Sequence, residues 1–408
     1  MIAGNRRSQV VTAACIGLAV AGCGGAARAP VAFVRSPACS TKVALATPKL
    51  TAVRTKMIEL AGSPFGVTTT RDGRWSFVDE LGPRAAVAVF SDAGASPALV
   101  RTVDLHALAR GSSLTADGRY LLVANARNGA AVLSVARLES GTGNPVLGTL
   151  TRGLTLPRRG RGPVGVGAIE TASSLDGRFA FVSVEYGDLV AVYDLRAALA
   201  DGFARSSYVG SVPLGQSVVG MAVSRDGRWL YVTSESRAGS RALSTPGTLS
   251  VISIPTAERS PAHSVVSTVD AGCQPVRVVL SPDGRTVWVT ARASDALLAF
   301  SASRLLSSPA RALLAAVRVG EAPVGLAIVD GGQDVVVADS NRFGAPGAQS
   351  SLTVVDTARA LAHKPAVVGA LPAGAFPREV AVAPNGRLLL VGDFGSDQLE
   401  AVSVSSLP

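Results

Sequence analysis

The stretch Val278-Val279-Leu280-Ser281-Pro282-Asp283-Gly284-Arg285-Thr286-Val287-Trp288-Val289-Thr290 decides the fold. One apolar run enters Asp283-Gly284, and a second leaves it to end on a small polar residue. Asp-Gly between apolar runs predicts a hairpin through a tight two-residue turn, because glycine accepts the positive φ such a turn demands. The pattern recurs at Asp72-Gly73-Arg74, Asp117-Gly118-Arg119, Asp176-Gly177-Arg178 and Asp226-Gly227-Arg228. Degenerate copies stand at Gly331-Gly332 and Asn385-Gly386-Arg387. Successive turn glycines lie 45 to 59 residues apart, a period that suits a four-stranded propeller blade and exceeds leucine-rich or ankyrin units.

Each turn has the same neighbours. An inner strand precedes it, as in residues 220–224, and a second strand follows, as in residues 229–233. Third strands are predicted at 85–90, 130–135, 189–193, 248–252, 296–300, 352–355 and 399–404, and six repeats carry a fourth, for example 313–319 and 366–371. The seventh lacks one, while an apolar stretch at 53–60 stands ahead of the first turn. We expect that stretch to complete the last blade, which removes two open sheet edges that would otherwise template aggregation. The expected fold is all-β: a seven-bladed β-propeller of four-stranded antiparallel blades over residues 50–405, closed by an N-terminal strand. Short Ala/Leu/Arg segments such as 196–200 and 358–362 read as single helical turns.

Leu230-Tyr231-Val232-Thr233-Ser234 resembles the YVTN-type β-propeller repeat, with variants at Leu122-Val123-Ala124-Asn125 and Trp288-Val289-Thr290-Ala291. Pro275 and Pro377 stand before inner strands, where that family often has proline. The resemblance implies the fold over nearly the whole mature chain. For function it implies only a range: surface-layer proteins, lactonase-like enzymes and envelope proteins. The Trp-Asp pair of WD40 repeats is absent from the second strands.

Residues 1–23 carry Arg6 and Arg7, an apolar run from Val10 to Ala21, and Val20-Ala21-Gly22-Cys23. A positive start followed by about a dozen apolar residues reads as an export signal too short to span a bilayer stably. Its end resembles the lipobox of bacterial lipoproteins, which implies lipidation at Cys23 and cleavage after residue 22. Gln9 stands where a twin-arginine signal wants an apolar residue, so the general export route is expected. Residues 23–49 then form the lipidated cysteine and a Gly/Ala/Pro-rich tether. Cleavage removes Cys15, leaving Cys39 and Cys273 in an oxidising compartment as a candidate disulfide; two separate buried thiols are the alternative.

Across 408 residues, hydrophobic content of 48% excludes a disordered chain, and the formal net charge is +10. That charge either favours anionic partners or simply keeps an exported protein soluble. No basic run is interleaved with aromatics, which argues against nucleic acid.

In a propeller, the loops leading into the inner strands share a face with the loops joining second and third strands. One column, six residues before each turn, reads Gly66, Gly111, Glu170, Gly220, Arg277, Gly325 and Glu379. Four glycines are expected to leave the funnel mouth open, with Glu170, Arg277 and Glu379 supplying charge. The three then form either a polar ligand pocket or a structural ion pair across a wet channel. The end of the second strand adds Glu80, Asn125, Ser234, Asp339 and Asp393, with Glu185 one residue late; each either binds ligand or caps a strand. Loops at 235–246 and 340–350, and Arg158, Arg159 and Arg161 before the third inner strand, widen the same face.

Catalytic signatures are scarce. The three histidines, His106, His263 and His363, lie in different repeats and form no metal-ligand motif. Of these, His106 alone stands in a loop leading to an inner strand. No Gly-x-Ser-x-Gly elbow occurs, and Gly160–Gly165 matches GxGxxG without a following helix. No catalytic residue, metal ligand or cofactor is therefore assigned. The leading expectation is a lipid-anchored, non-catalytic module that binds a small polar ligand, an anionic wall polymer or an envelope protein. The alternative is a lactonase-like hydrolase, with Glu170 or Glu379 as base or ligand to a divalent metal and Arg277 holding an acidic substrate. A third reading is a structural spacer.

Overall fold

The computed structural model describes residues 31–32, 39, 50–92, 96–106, 109–125, 129–151, 167–238, 245–344 and 349–408. Cys23, the Arg158–Arg161 insertion and the centres of the two long loops lie outside them. Seven antiparallel four-stranded blades form the ring, six of them running from an inner to an outer strand in chain order. The inner strands are Ser63–Thr69, Ala109–Leu114, Ala168–Ser173, Gln216–Val223, Pro275–Leu280, Pro323–Val329 and Pro377–Val382, in blades one to seven. Thr55–Glu59 pairs antiparallel with Gln398–Ser403 and supplies the outer strand of blade seven, so the ring closes as expected.

Alternation along the strands sends apolar side chains to both faces of each blade, where they pack against the neighbouring blades. One such cluster joins Tyr231, Leu249 and Val251 of blade four to Val287, Leu298 and Phe300 of blade five. Another joins Trp288 and Leu297 of blade five to Val335, Val337 and Val355 of blade six. Single helical turns follow five of the third strands, each capped by that strand's last residue: Ser134, Asp194, Ser253, Ser301 and Asp356. A side-chain oxygen there accepts an otherwise orphaned N–H of the first turn.

The Asp-Gly turns correct one expectation. Each spans four residues, not two, because Gly73 N–H bonds back to Thr70 C=O and Thr70 N–H to Trp75 C=O. Asp72 Oδ1 accepts the Thr70 hydroxyl at 2.6 Å and Arg74 N–H at 3.1 Å. The same lattice recurs around Asp117, Asp176, Asp226 and Asp283. Glycine supplies the positive φ, +66° to +71° across the five copies. The Ser/Thr two residues upstream and the Arg two downstream are thus parts of the turn. Three of the arginines also lie over the aromatic ring that follows them, as Arg119 does over Tyr120 at 5.4 Å.

The N-terminal segment is fastened to several blades. Val31–Ala32 adds in parallel to the outer strand of blade four, and Leu50 bridges Ala370 on blade six. Between them Cys39 is disulfide-bonded to buried Cys273, with Cα atoms 5.2 Å apart. Cys273 stands four residues before Arg277, so the bridge secures the loop that delivers that side chain. Cys39→Ser is expected to cost about 2–4 kcal/mol, read as a lower denaturant midpoint that reductant lowers equally in the unsubstituted protein. A change under about 0.5 kcal/mol would show the bridge to be mechanically idle.

Candidate functional site

The inner strands all carry a bulge at the column of interest. A hydroxyl on the second strand stitches this bulge to the next blade. Ser183, Thr233 and Thr290 accept the N–H of Glu170, Gly220 and Arg277 at 3.0, 2.9 and 3.1 Å. They donate to the carbonyls of Val219, Val276 and Val324 at 2.9, 2.7 and 2.7 Å. Asp79 fills this position in blade one; burial drives its carboxyl well above the ordinary range, with Ser112 and the Glu379 charge beside it. The sequence column gave no hint of Asp79, because an acid there is legible only once the hydroxyl pattern of the other blades is known.

The four glycines have a different purpose from the one expected. A Cβ on Gly220 would stand 2.2 Å from Val276 C=O, on Gly325 2.8 Å from Arg378 C=O, and on Gly111 2.9 Å from Ile169 C=O. No side chain tolerates such distances from backbone, so these glycines let adjacent inner strands approach. They tighten the ring instead of widening its mouth.

Glu170, Arg277 and Glu379 converge from blades three, five and seven. Arg277 Nε donates to Glu379 Oε2 at 2.8 Å and lies 2.9 Å from Glu170 Oε1. Glu170 Oε2 also accepts Met221 N–H at 2.8 Å. Burial lifts the Glu170 carboxyl to about 7, opposed by Arg277 and reinforced by Glu379. Two carboxylates share one nitrogen, and Arg277 Nη1 and Nη2, both buried, have no hydrogen-bond partner among the described residues.

Immediately before that column stands another: Phe65, Arg110, Ile169, Val219, Val276, Val324 and Arg378. The five apolar members form one buried cluster with Phe376 and Phe394 against it. Arg378 lies with its guanidinium 3.7 Å from the Phe65 ring centre and 5.7 and 5.9 Å from Phe394 and Phe376. Burial and the neighbouring Arg277, Arg342 and Arg292 pull its pKa down to about 9, against the Glu379 charge. Around it, Arg110 meets Glu185 at 3.4 Å, Arg292 meets Glu235 at 2.8 Å, and exposed Arg342 lies 5.6 Å from the Phe376 ring. Arg110 and Arg378 escaped the sequence reading, although two arginines in an otherwise apolar column were a usable signal.

The second-strand residues do other work. Asp339 accepts the hydroxyls of Thr353 and Ser351 at 2.5 and 2.9 Å. Asp393 is buried with neither carboxylate oxygen hydrogen-bonded among the described residues, and Glu80 is buried beside Gly62. A Cβ on Gly320 or Gly374 would fall within 2.5 Å of the aspartate it serves. Burial raises these acids to about 7 for Asp339 and Glu80 and about 8 for Asp393. All three pack against a glycine of the loop leading into their own inner strand, and none hydrogen-bonds to the triad. Asn125 is buried between Ala109 and Gly129 at the corresponding place in blade two, and Ser234 is buried in blade four. His106 is exposed, with Nδ1 3.4 Å from Asp104. Glu185 does belong to the site, through Arg110.

On the opposite face a cleft of about 630 Å³ lies between blades seven and one, lined by Arg54, Lys56, Asp92 and Arg387 among others. Among the described residues no group of three His, Cys, Asp or Glu is placed to hold a metal ion.

The ring and its closure define a seven-bladed β-propeller. No family model and no curated protein matches the chain. Solved structures do: Kuenenia stuttgartiensis hydrazine synthase, at 16% identity and TM-score 0.64, aligns over 88% of this chain and 99% of its own. A chain of a mitotic checkpoint complex, at 14% identity and TM-score 0.62, aligns over 95% and 98%. At such identities the likeness establishes the fold alone.

Proposed function

We propose that this chain is an exported, lipid-anchored β-propeller of the YVTN-repeat type, acting outside the cell membrane as a non-catalytic binding module. Its funnel face engages a polar ligand, an anionic wall polymer or an envelope protein. One observation carries the reading. Arg378 is held almost buried on Phe65, with no described carboxylate in salt-bridge reach and Nε unpartnered. A rigid scaffold that keeps a cation so poorly compensated is suited to receiving charge from outside. The triad favours binding over hydrolysis, since both carboxylates are held on Arg277 by short ion pairs. The anchor rests on Arg6, Arg7, the apolar run and Cys23.

A lactonase-like hydrolase is the second reading, favoured by the Glu170 carboxyl poised near neutrality; only there would a divalent metal be needed. The test is thermal shift of the purified protein against metabolites, glycans and isolated wall polymer, with a parallel lactone screen with and without divalent metal. A saturable shift, weakened by Phe343→Ser, whose exposed ring lies 6.0 Å from the Arg292 guanidinium, and kept in Arg285→Gln on the turn face, supports the binding module. No shift across the panel favours the spacer. Lactone turnover that Glu379→Ala abolishes would replace the proposal with the hydrolase.

A further inference from the structure

Resting on the funnel-face reading, we infer that the ligand is an organic anion, with a carboxylate or phosphate head held by Arg378 and an apolar body packed on the phenylalanines of blades seven and one. The charge balance points to the head. Among the described residues, Arg110, Arg277 and Arg292 each have a carboxylate partner, whereas Arg342 and Arg378 have none within salt-bridge distance. Arg378 nevertheless lies only 9% exposed, and its Nε and both Arg277 Nη atoms lack hydrogen-bond partners among the described residues. Buried donors of this kind are expensive unless satisfied, and a planar guanidinium satisfies itself best on a carboxylate or phosphate, which it meets with two parallel bonds. A neutral polar ligand would leave the excess charge in place.

The rings point to the body. Phe376 and Phe394 stand half-buried in an edge-to-face arrangement with centres 5.3 Å apart, and Phe65 meets Phe394 at 6.2 Å. Arg342 and Arg378 both lie against Phe376. A flat apolar group entering here meets ring edges and faces while its head reaches the guanidinium, which is the division of labour usual in small-molecule sites. The loop that carries Phe376 is fixed for this purpose: Phe376 has φ +51°, outside the usual range for a bulky residue, and Pro377 follows it. Gln274 and Ala322 adopt the same conformation before Pro275 and Pro323 in blades five and six. The repeat geometry therefore delivers blade seven's aromatic ring to the place where the other two blades present Gln and Ala.

The probes are benzoate and phenyl phosphate, with acetate and inorganic phosphate as heads without a body and benzamide as a body without charge, measured by calorimetric titration on the full folded chain. Benzoate or phenyl phosphate should bind saturably, at least tenfold more tightly than benzamide and than the matching bare head; the better of the two identifies the head. Arg378→Gln should weaken the better probe at least tenfold, with Arg378→Lys intermediate because it keeps charge but loses the planar fork. Phe376→Ser should remove the advantage of the aromatic anions over acetate and phosphate. Circular dichroism and melting of each variant establish that it is folded. Benzamide matching benzoate, or undiminished binding in folded Arg378→Gln, overturns the inference. So does saturable binding of neither aromatic anion at about 10 mM, a concentration that reads even weak millimolar affinity. In that case a shift from the wider panel that Phe343→Ser weakens would leave the binding module standing with another ligand.

Discussion

Arg277→Met is expected to cost about 3–5 kcal/mol at neutral pH, the range for breaking a buried ion pair by removing one partner. The guanidinium is 5% exposed and its Nε serves both Glu170 and Glu379. Removing it leaves two carboxyls facing each other with no cation between them. The loss should be largest near pH 8 and shrink near pH 5, where protonation of Glu170 relieves the repulsion. Adding Glu170→Gln and Glu379→Gln to the methionine variant should recover more than half of the loss, since the burden is uncompensated charge and not missing volume. Denaturant unfolding of the single and triple variants measures this. A single variant within about 1 kcal/mol of the parent would mean that water, not Arg277, compensates the two acids.

The second large effect is the response of stability to pH. Burial raises Glu170, Glu80 and Asp339 to about 7, Asp393 to about 8, and Asp79 well above its ordinary value. In the unfolded chain such groups lose their protons near pH 4. Between these limits the folded state holds more protons, so stability falls as pH rises. The stabilisation is complete below about pH 4 and is lost as pH passes through 7 to 8. Melting temperature should therefore drop by on the order of 5–10 °C between pH 5.5 and 8.5 for a ring of this size. The formal net charge of +10 acts in the opposite direction through self-repulsion at low pH, and moderate salt suppresses it. Asp393→Asn should flatten part of the slope while keeping the shape of the side chain. A melting temperature that rises across this interval would show that these acids are ionised and paired in the folded state.

Arg378 and Glu379 show how unevenly the site could be read from the chain. Glu379 announced itself because it interrupts a column of glycines. Arg378, one position earlier, was passed over although its column was equally regular, because arginine among valines looks like a surface residue until burial is known. The second-strand acids Asp339 and Asp393 are legible only in part for a related reason. Their repeat position suits a rim, and only the structure shows that the glycines at 320 and 374 make room for their carboxyls.

The sequence by itself determined the blade count, the strand order and the closure of the ring by residues 55–59, because each repeat signals its own turn and strands locally. Apolar alternation and a glycine in the left-handed region need only near neighbours to act. The convergence of Glu170, Arg277 and Glu379 on one nitrogen, and the stacking of Arg378 on Phe65, needed the tertiary structure. Those contacts join residues from blades far apart in the chain, and only the curvature of the closed ring sets their distances. The glycine column belongs to both: the sequence shows that a side chain is missing there, and the close approach of neighbouring strands supplies the reason.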